Sequence, residues 1–392
     1  MSAVFSEFDL SALAFHGATY TIPEILGQPE LWQKVWSSLR QEQDGLAAFI
    51  AESLRTPERE IVLTGAGSSA FIGELLQGHV GRQTQRCVKA IPTTDIVTNP
   101  EECFAQNAPT LLVSFGRSGN SPESIAALDR ADEQLSDVQH VIITCNPEGD
   151  LAKHATRNPR AVFVLPAEAD DQGLAMTGSF TGMALSGLLL FDLDRLGDDQ
   201  LRVERMAAAA TQMFERQGDV FRTLGQLDFT RAIFLGAGAL KGAARECHLK
   251  VQELTNGSVM CAYDSFLGFR HGPKAAINAS TLLVFLFSGR PGQQAYEQDL
   301  VNEIRAGGQG VFRLGVGNGL APHQPQEATL DLDGDGLLSD EERAICGVLT
   351  AQILGVYRSI SLGLKPDSPS PTGSISRVVQ GVTIYPPVPC PL

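Results

Sequence analysis

Seven cysteines, at 87, 103, 145, 247, 261, 346 and 390, are too scattered to staple a chain of 392 residues. Their number is odd and no CxxC pair occurs, so the spacing encodes neither a disulfide framework nor a zinc site, and no metal is expected. Long apolar runs are also missing: MALSGLLLFD (183–192) falls well short of the ~20 residues of a membrane span. The opening MSAVFSEFDLSALAF has no basic segment and no small-residue cleavage site, so a cytoplasmic protein is expected, without a membrane partner. Positive charge is scarce: 30 Lys and Arg stand against 45 Asp and Glu, a formal charge of −15. That surface repels a phosphate backbone and no basic stripe offsets it, which excludes nucleic acid as a partner. An anionic small molecule would have to be held locally, by backbone N–H groups and a few cations.

What is present is a repeat. IVLTGAGSSAFIGELL (61–76) runs from an apolar strand through a glycine loop into a helix, and AIFLGAGALKGAARE (232–246) does the same. Gly65 and Gly236 begin the matching Gly-Ala-Gly cores, an offset of 171 positions. At that offset TLLV (110–113) recurs letter for letter at 281–284, and VIITC (141–145) falls on FRLGV (312–316). Three matched elements without a gap argue for duplication. The strands are short continuous apolar runs bounded by Gly, Asn or Ser, the pattern of a parallel sheet covered on both faces. The expected fold class is therefore α/β, two tandem doubly wound sandwiches of the flavodoxin-like kind. We place a helical arm at 1–44, leading into the helical stretch 30–54, a first half at 45–212 and a second at 213–392.

In such sheets ligands bind beyond the carboxyl ends of the strands, where helix N-termini present N–H groups. Two loops of the first half fit. Thr64-Gly-Ala-Gly-Ser-Ser69 and Ser114-Phe-Gly-Arg-Ser-Gly-Asn-Ser-Pro-Glu123 together offer Ser68, Ser69, Ser118 and Ser121 with one cation, Arg117. That is the composition of a phosphate pocket; the plainer alternative is a pair of tight strand-to-helix turns. The second half has lost these serines, its loops reading GAGALKG and FSGRPG. It offers instead a helix over 242–257 in which Glu246, Lys250 and Glu253 share a face. The alternative for that triplet is a solvated salt-bridge ladder. A basic loop, Phe269-Arg270-His271-Gly272-Pro273, follows, and its histidine matters only where it meets the helix.

The SFGRSGNSPES loop, the KVQELT helix and the RHGP loop, in this order on duplicated halves, resemble the SIS (sugar isomerase) family. The stretch 363–386 resembles its AgaS-type subgroup. The resemblance implies two tandem SIS domains and phosphate held by Ser69, Arg117, Ser118 and Ser121; Gly116 and Arg117 stand where a serine and a glutamine are usual. It implies Glu253 as the proton-transfer base, with Lys250 and Glu246 beside it. His271 would open the sugar ring from a neighbouring subunit, which requires at least a homodimer, and Arg377 loosely matches a lysine lying over the site. Moving a carbonyl between C1 and C2 calls for such a carboxylate base, with its pKa raised by burial, and a cation for the developing oxyanion.

The expected activity is an amino-sugar-phosphate deaminase/isomerase, galactosamine 6-phosphate giving tagatose 6-phosphate and ammonia, of the isomerase and hydrolase classes. No cofactor is expected. Since the first half begins within about 45 residues of Met1, with no ammonia-generating domain before it, the deaminating direction is favoured over amination. A plain ketose/aldose isomerase and a non-catalytic sugar-phosphate sensor stay open as alternatives. Asp331 to Glu342 satisfies the EF-hand loop pattern. The segment before it, 321–332, contains a proline and reads as loop and strand. We therefore read its acids as caps of the following helix.

Overall fold

The computed structural model describes residues 2–333, 336–379 and 381–386. It begins with helical turns and a long helix, α1 (Gln28–Ser53), which runs unbroken through positions 44 and 45, so the arm and the first half share one helix. The first sheet comprises β1 (Glu60–Thr64), β2 (Val88–Ala90), β3 (Thr110–Gly116), β4 (Val138–Thr144) and β5 (Arg160–Val164). The second comprises β6 (Arg231–Leu235), β7 (Met260–Asp264), β8 (Thr281–Leu286), β9 (Phe312–Val316) and β10 (Glu327–Leu330). The spatial orders are β2-β1-β3-β4-β5 and β7-β6-β8-β9-β10, and every pairing is parallel. These are the same doubly wound topology twice over, as the offset of 171 predicts.

Alternation along the strands builds two layers of core per sheet. Ile61, Leu63, Leu111, Val113 and Phe115 face the large central core, while Val62, Leu112 and Ile142 face the outer helices. Each glycine loop feeds a helix. α2 (Ser68–Thr84) follows β1, and α3 (Pro122–Gln134) follows β3 with Ser121 as N-cap and Pro122 at its first position. α4 (Gly178–Leu190) is buried at every position and closes the first half. In the second half α5 (Ala239–Leu254) follows β6 and α6 (Pro291–Ala306) follows β8.

The chain's last helix, α7 (Asp340–Ser361), packs along α5. It has the length and apolarity of a membrane span, unlike the shorter run at 183–192, but 89% of that stretch is buried inside the protein. A core helix passes the same hydropathy test because it too is covered on all sides. Its N-terminus settles the EF-hand-like segment, of which Gly334 and Asp335 lie outside the described residues. Ser339 and Glu342 form a reciprocal capping box, and Asp340, Glu341 and Glu342 fill the first turn. Asp333 binds Arg343 at 2.6 Å and Glu342 binds Arg202 at 2.7 Å, so these acids are held by side-chain cations.

Candidate active site

Helices α2 and α5 are equivalent elements of the two repeats and pack against each other. Gly242 allows the approach: a Cβ there would sit 2.5 Å from the Leu75 backbone nitrogen. That contact brings the start of α2 to the C-terminal half of α5, where Ser68 shares a cavity with Lys250 and Glu253. The phosphate-type loops of the first half therefore meet the charged face contributed by the second. Gly67, at φ +57°, makes the turn that points α2 into the gap. A cavity of about 390 Å³ opens there, lined by Ser68, Ser69, Arg117, Ser118, Ser121, Lys250, Glu253 and Arg377, together with residues not expected from sequence.

Glu246, Lys250 and Glu253 of α5 form a cluster, wholly buried at the first two, rather than a solvated ladder. Lys250 is 2.7 Å from Glu253 and 3.4 Å from Glu246, with the Lys250 and Glu246 side chains 1% and 0% exposed. The Ser68 hydroxyl donates to Glu246 at 3.1 Å, and the other carboxylate oxygen of Glu246 is buried without a partner. Burial pushes the Glu246 pKa up to about 7, against the pull of Lys250. Burial also opposes the charge on Lys250, but the carboxylates of Glu246 and Glu253 outweigh it and hold its pKa above the ordinary value. The carboxyl raised by burial is thus Glu246, whereas the one lining the cavity is Glu253.

Arg117 faces the cavity, but its guanidinium is held by backbone. It donates to the Leu174 carbonyl at 3.2 Å and to the Arg377 carbonyl. Arg377 returns the contact to the same loop, donating from Nε to the Asp171 carbonyl at 2.6 Å and pairing with Asp170. Arg377 lines the cavity with its side chain clasped to that loop. Its backbone neighbours, Ser374 to Val379, form a strap along one wall, and Leu174 and Met176 form another part of it. The Asp171 carboxylate accepts from Thr177, Gly178 and Ser179 at the start of α4, which fixes the loop carrying Leu174 and Met176. The sequence offers only Arg377 of the strap and nothing of the loop, which acts largely through main-chain carbonyls that no side-chain pattern reports.

His271 does not join the cluster within one chain. It lies exposed in the segment after β7 that packs on α6, where the neighbouring Arg270 pairs with Asp299 and Glu303, whereas α5 covers the other face of the second sheet. No group of three or more metal-ligating side chains occurs among the described residues.

With that geometry in place, the comparisons with known proteins fall on one group. Residues 55–192 match the SIS domain family. The D-galactosamine-6-phosphate deaminase AgaS of a Shewanella species is 39% identical, covering 95% of this chain and 94% of its own. A Streptomyces coelicolor relative bearing the AgaS name provisionally is 43% identical over 94% of this chain and 96% of its own. The chain belongs to the AgaS family of SIS-domain proteins. A solved structure of tagatose-6-phosphate ketose/aldose isomerase from Escherichia coli superposes with a TM-score of 0.85 at 35% identity, covering 93% of this chain and 96% of that one. The AgaS relatives are named deaminases and the solved neighbour an isomerase, so the hydrolase class expected from sequence is corrected to deaminase/isomerase.

Proposed function

We propose that this AgaS-family chain is an isomerising deaminase that converts galactosamine 6-phosphate to tagatose 6-phosphate and ammonia. The observation that carries this reading is the Glu253–Lys250 pair, which faces the serine loops of α2 and α3 across one cavity. The first half takes the 6-phosphate at the N-termini of α2 and α3, with Ser69, Ser118 and Ser121 as donors and Ser68 beside them. Arg117 supplies positive potential from its place behind the strap, and Arg377 keeps the strap down. The second half does the proton transfer. Glu253 takes the proton from C2 of the open-chain aldehyde and returns it to C1. The resulting C2 imine exchanges its nitrogen for the oxygen of a water, and ammonia leaves. Lys250 stabilises the oxygen that becomes negative during the transfer, and Glu246 sets the position of Lys250. His271 of a second copy opens the ring, so the working unit is at least a homodimer. A phosphorylated hexosamine as substrate fits a cytoplasmic enzyme.

A second reading, plain interconversion of tagatose 6-phosphate with its aldose, uses the same Glu253 step and is favoured by the name of the solved Escherichia coli neighbour. Ammonia decides between them. The purified protein is incubated with galactosamine 6-phosphate or glucosamine 6-phosphate, and released ammonia and ketose phosphate are measured. Ammonia with tagatose 6-phosphate from the galacto compound supports the proposal. Aldose–ketose exchange without ammonia supports the second reading, and neither product overturns both.

A further inference from the structure

The serine-poor repeat carries an anion of its own. Its loop Phe287-Ser288-Gly289-Arg290 links β8 to α6, as the loop after β3 leads into α3. At the offset of 171, Ser288 and Gly289 correspond to Arg117 and Ser118. In the first repeat that loop borders the open cavity. In the second it closes on Asp340, in the first turn of α7. The Gly289 N–H donates to Asp340 Oδ1 at 2.8 Å, and the Ser288 hydroxyl donates to Oδ2 at 2.8 Å. Arg290 Nε lies 3.3 Å from Oδ2. The Ser288 N–H is directed instead to Glu297 at 3.1 Å. A backbone amide, a hydroxyl and a guanidinium converging on two oxygens are the donor set of an oxyanion site.

A second observation points the same way. Arg343 is buried against this loop, where a Cβ on Gly289 would meet its Nε at 2.9 Å. One of its terminal nitrogens binds Asp333 at 2.6 Å, while the other, Nη1, is buried without a partner. A buried guanidinium packed on this loop therefore keeps one nitrogen without an acceptor.

We propose that the second repeat retains an oxyanion site of the phosphate-monoester class, whose resident ligand is the chain's own Asp340 carboxylate. Two consequences follow from the packing. External phosphate is excluded from the second repeat, so the duplicated fold has one substrate site per chain. The former ligand loop becomes a fastening for α7, whose length lies along α5 and backs Lys250 and Glu253.

The test removes the internal ligand and offers an external one. Asp340→Ala, the double variant Asp340→Ala/Arg290→Ala and wild type are melted across a series of inorganic phosphate concentrations, with chloride at matched ionic strength, and phosphate stoichiometry is measured by calorimetry. The expected result is a lowered Tm in Asp340→Ala that phosphate restores and chloride does not. One more phosphate should bind per chain than in wild type, and the double variant should lose both effects. The reading is a difference from wild type, so it stands whether or not the first repeat takes a phosphate. An Asp340→Ala protein with the phosphate response and stoichiometry of wild type overturns the proposal. If Asp340→Ala does not fold, Asp340→Asn, which keeps the size and removes the charge, takes its place. A phosphate-dependent Tm gain above that of wild type supports the proposal, and its absence overturns it.

Discussion

Glu74 and Arg245 occupy the same position in the two repeats, 171 residues apart, and their side chains pair with each other across the α2–α5 contact. Equivalent residues that meet mark an approximate two-fold axis between the helices. On one side of it the serine loop of the first repeat reaches the charged face of the second, and Ser68 touches Glu246. The site is composite for that reason. Neither half holds both the serine loops and the Glu253–Lys250 pair.

Replacing Glu253 by Gln should lower kcat by about two to four orders of magnitude, the usual contribution of a general base. KM should change little, because the loops at the starts of α2 and α3 are untouched. Steady-state ammonia release reads both numbers. A kcat within tenfold of wild type would remove Glu253 from the proton-transfer role.

Lys250 sits between two carboxylates, one of them wholly buried. Lys250→Met should destabilise the fold by about 3–5 kcal/mol, the cost of leaving a buried charge without its partner. Adding Glu246→Gln to that variant should recover part of the loss, since the unpaired carboxylate is gone. Urea unfolding of the single and double variants checks the coupling, and strictly additive losses would contradict it.

Stability should fall between about pH 5 and pH 8. Burial raises Glu246 from 4.5 to about 7, and burial followed by neighbouring acids does the same for Glu24, beside Asp171 and Asp367, and for Glu297, beside Asp340. A carboxyl whose folded pKa lies above its unfolded value stabilises fully below the unfolded value and loses that share as pH rises through the folded one. For Glu246 the share is about 3 kcal/mol. Denaturant melts across that window should slope downward, with a shallower slope in Glu246→Gln. An equal slope in the variant would place the titration elsewhere.

Much of this arrangement is legible before any coordinates. The glycine loops and the repeated TLLV place β1, β3, β6 and β8, and the i, i+4, i+7 spacing of Glu246, Lys250 and Glu253 puts all three on one side of α5. Their burial is less legible, because it depends on Gly242 letting α2 come close. The 170–176 loop is not legible at all, and of the strap only Arg377 is. They have no periodicity, and they are tied by Arg117 and Arg377 to main-chain carbonyls that every residue possesses. Arg117 is offered by the sequence as a phosphate contact, and the tie it makes between backbone segments is visible only in the fold.

Arg117→Gln should loosen the strap. The guanidinium joins the Leu174 and Arg377 carbonyls, and the shorter amide cannot span both. Hydrogen exchange across 374–379 should accelerate, and KM should rise about tenfold, the equivalent of ~1.4 kcal/mol in lost binding. Arg117→Lys should behave like Gln, because one ammonium does not reproduce a planar fork. Unchanged exchange in the strap with a raised KM would instead make Arg117 a direct phosphate contact.

The last prediction concerns the residue that a single chain leaves apart. His271 and Glu253 belong to segments that cover opposite faces of the second sheet, so they do not meet at one site within a chain. If a second copy supplies the histidine, His271→Ala and Glu253→Gln proteins should each be nearly inactive alone. Unfolded together and refolded as a mixture, they form hybrids in which one site has an intact Glu253 and an intact His271 from the other chain. Random pairing into two-fold dimers should return roughly a quarter of wild-type activity. A mixture no more active than its components would exclude a histidine supplied by the second copy.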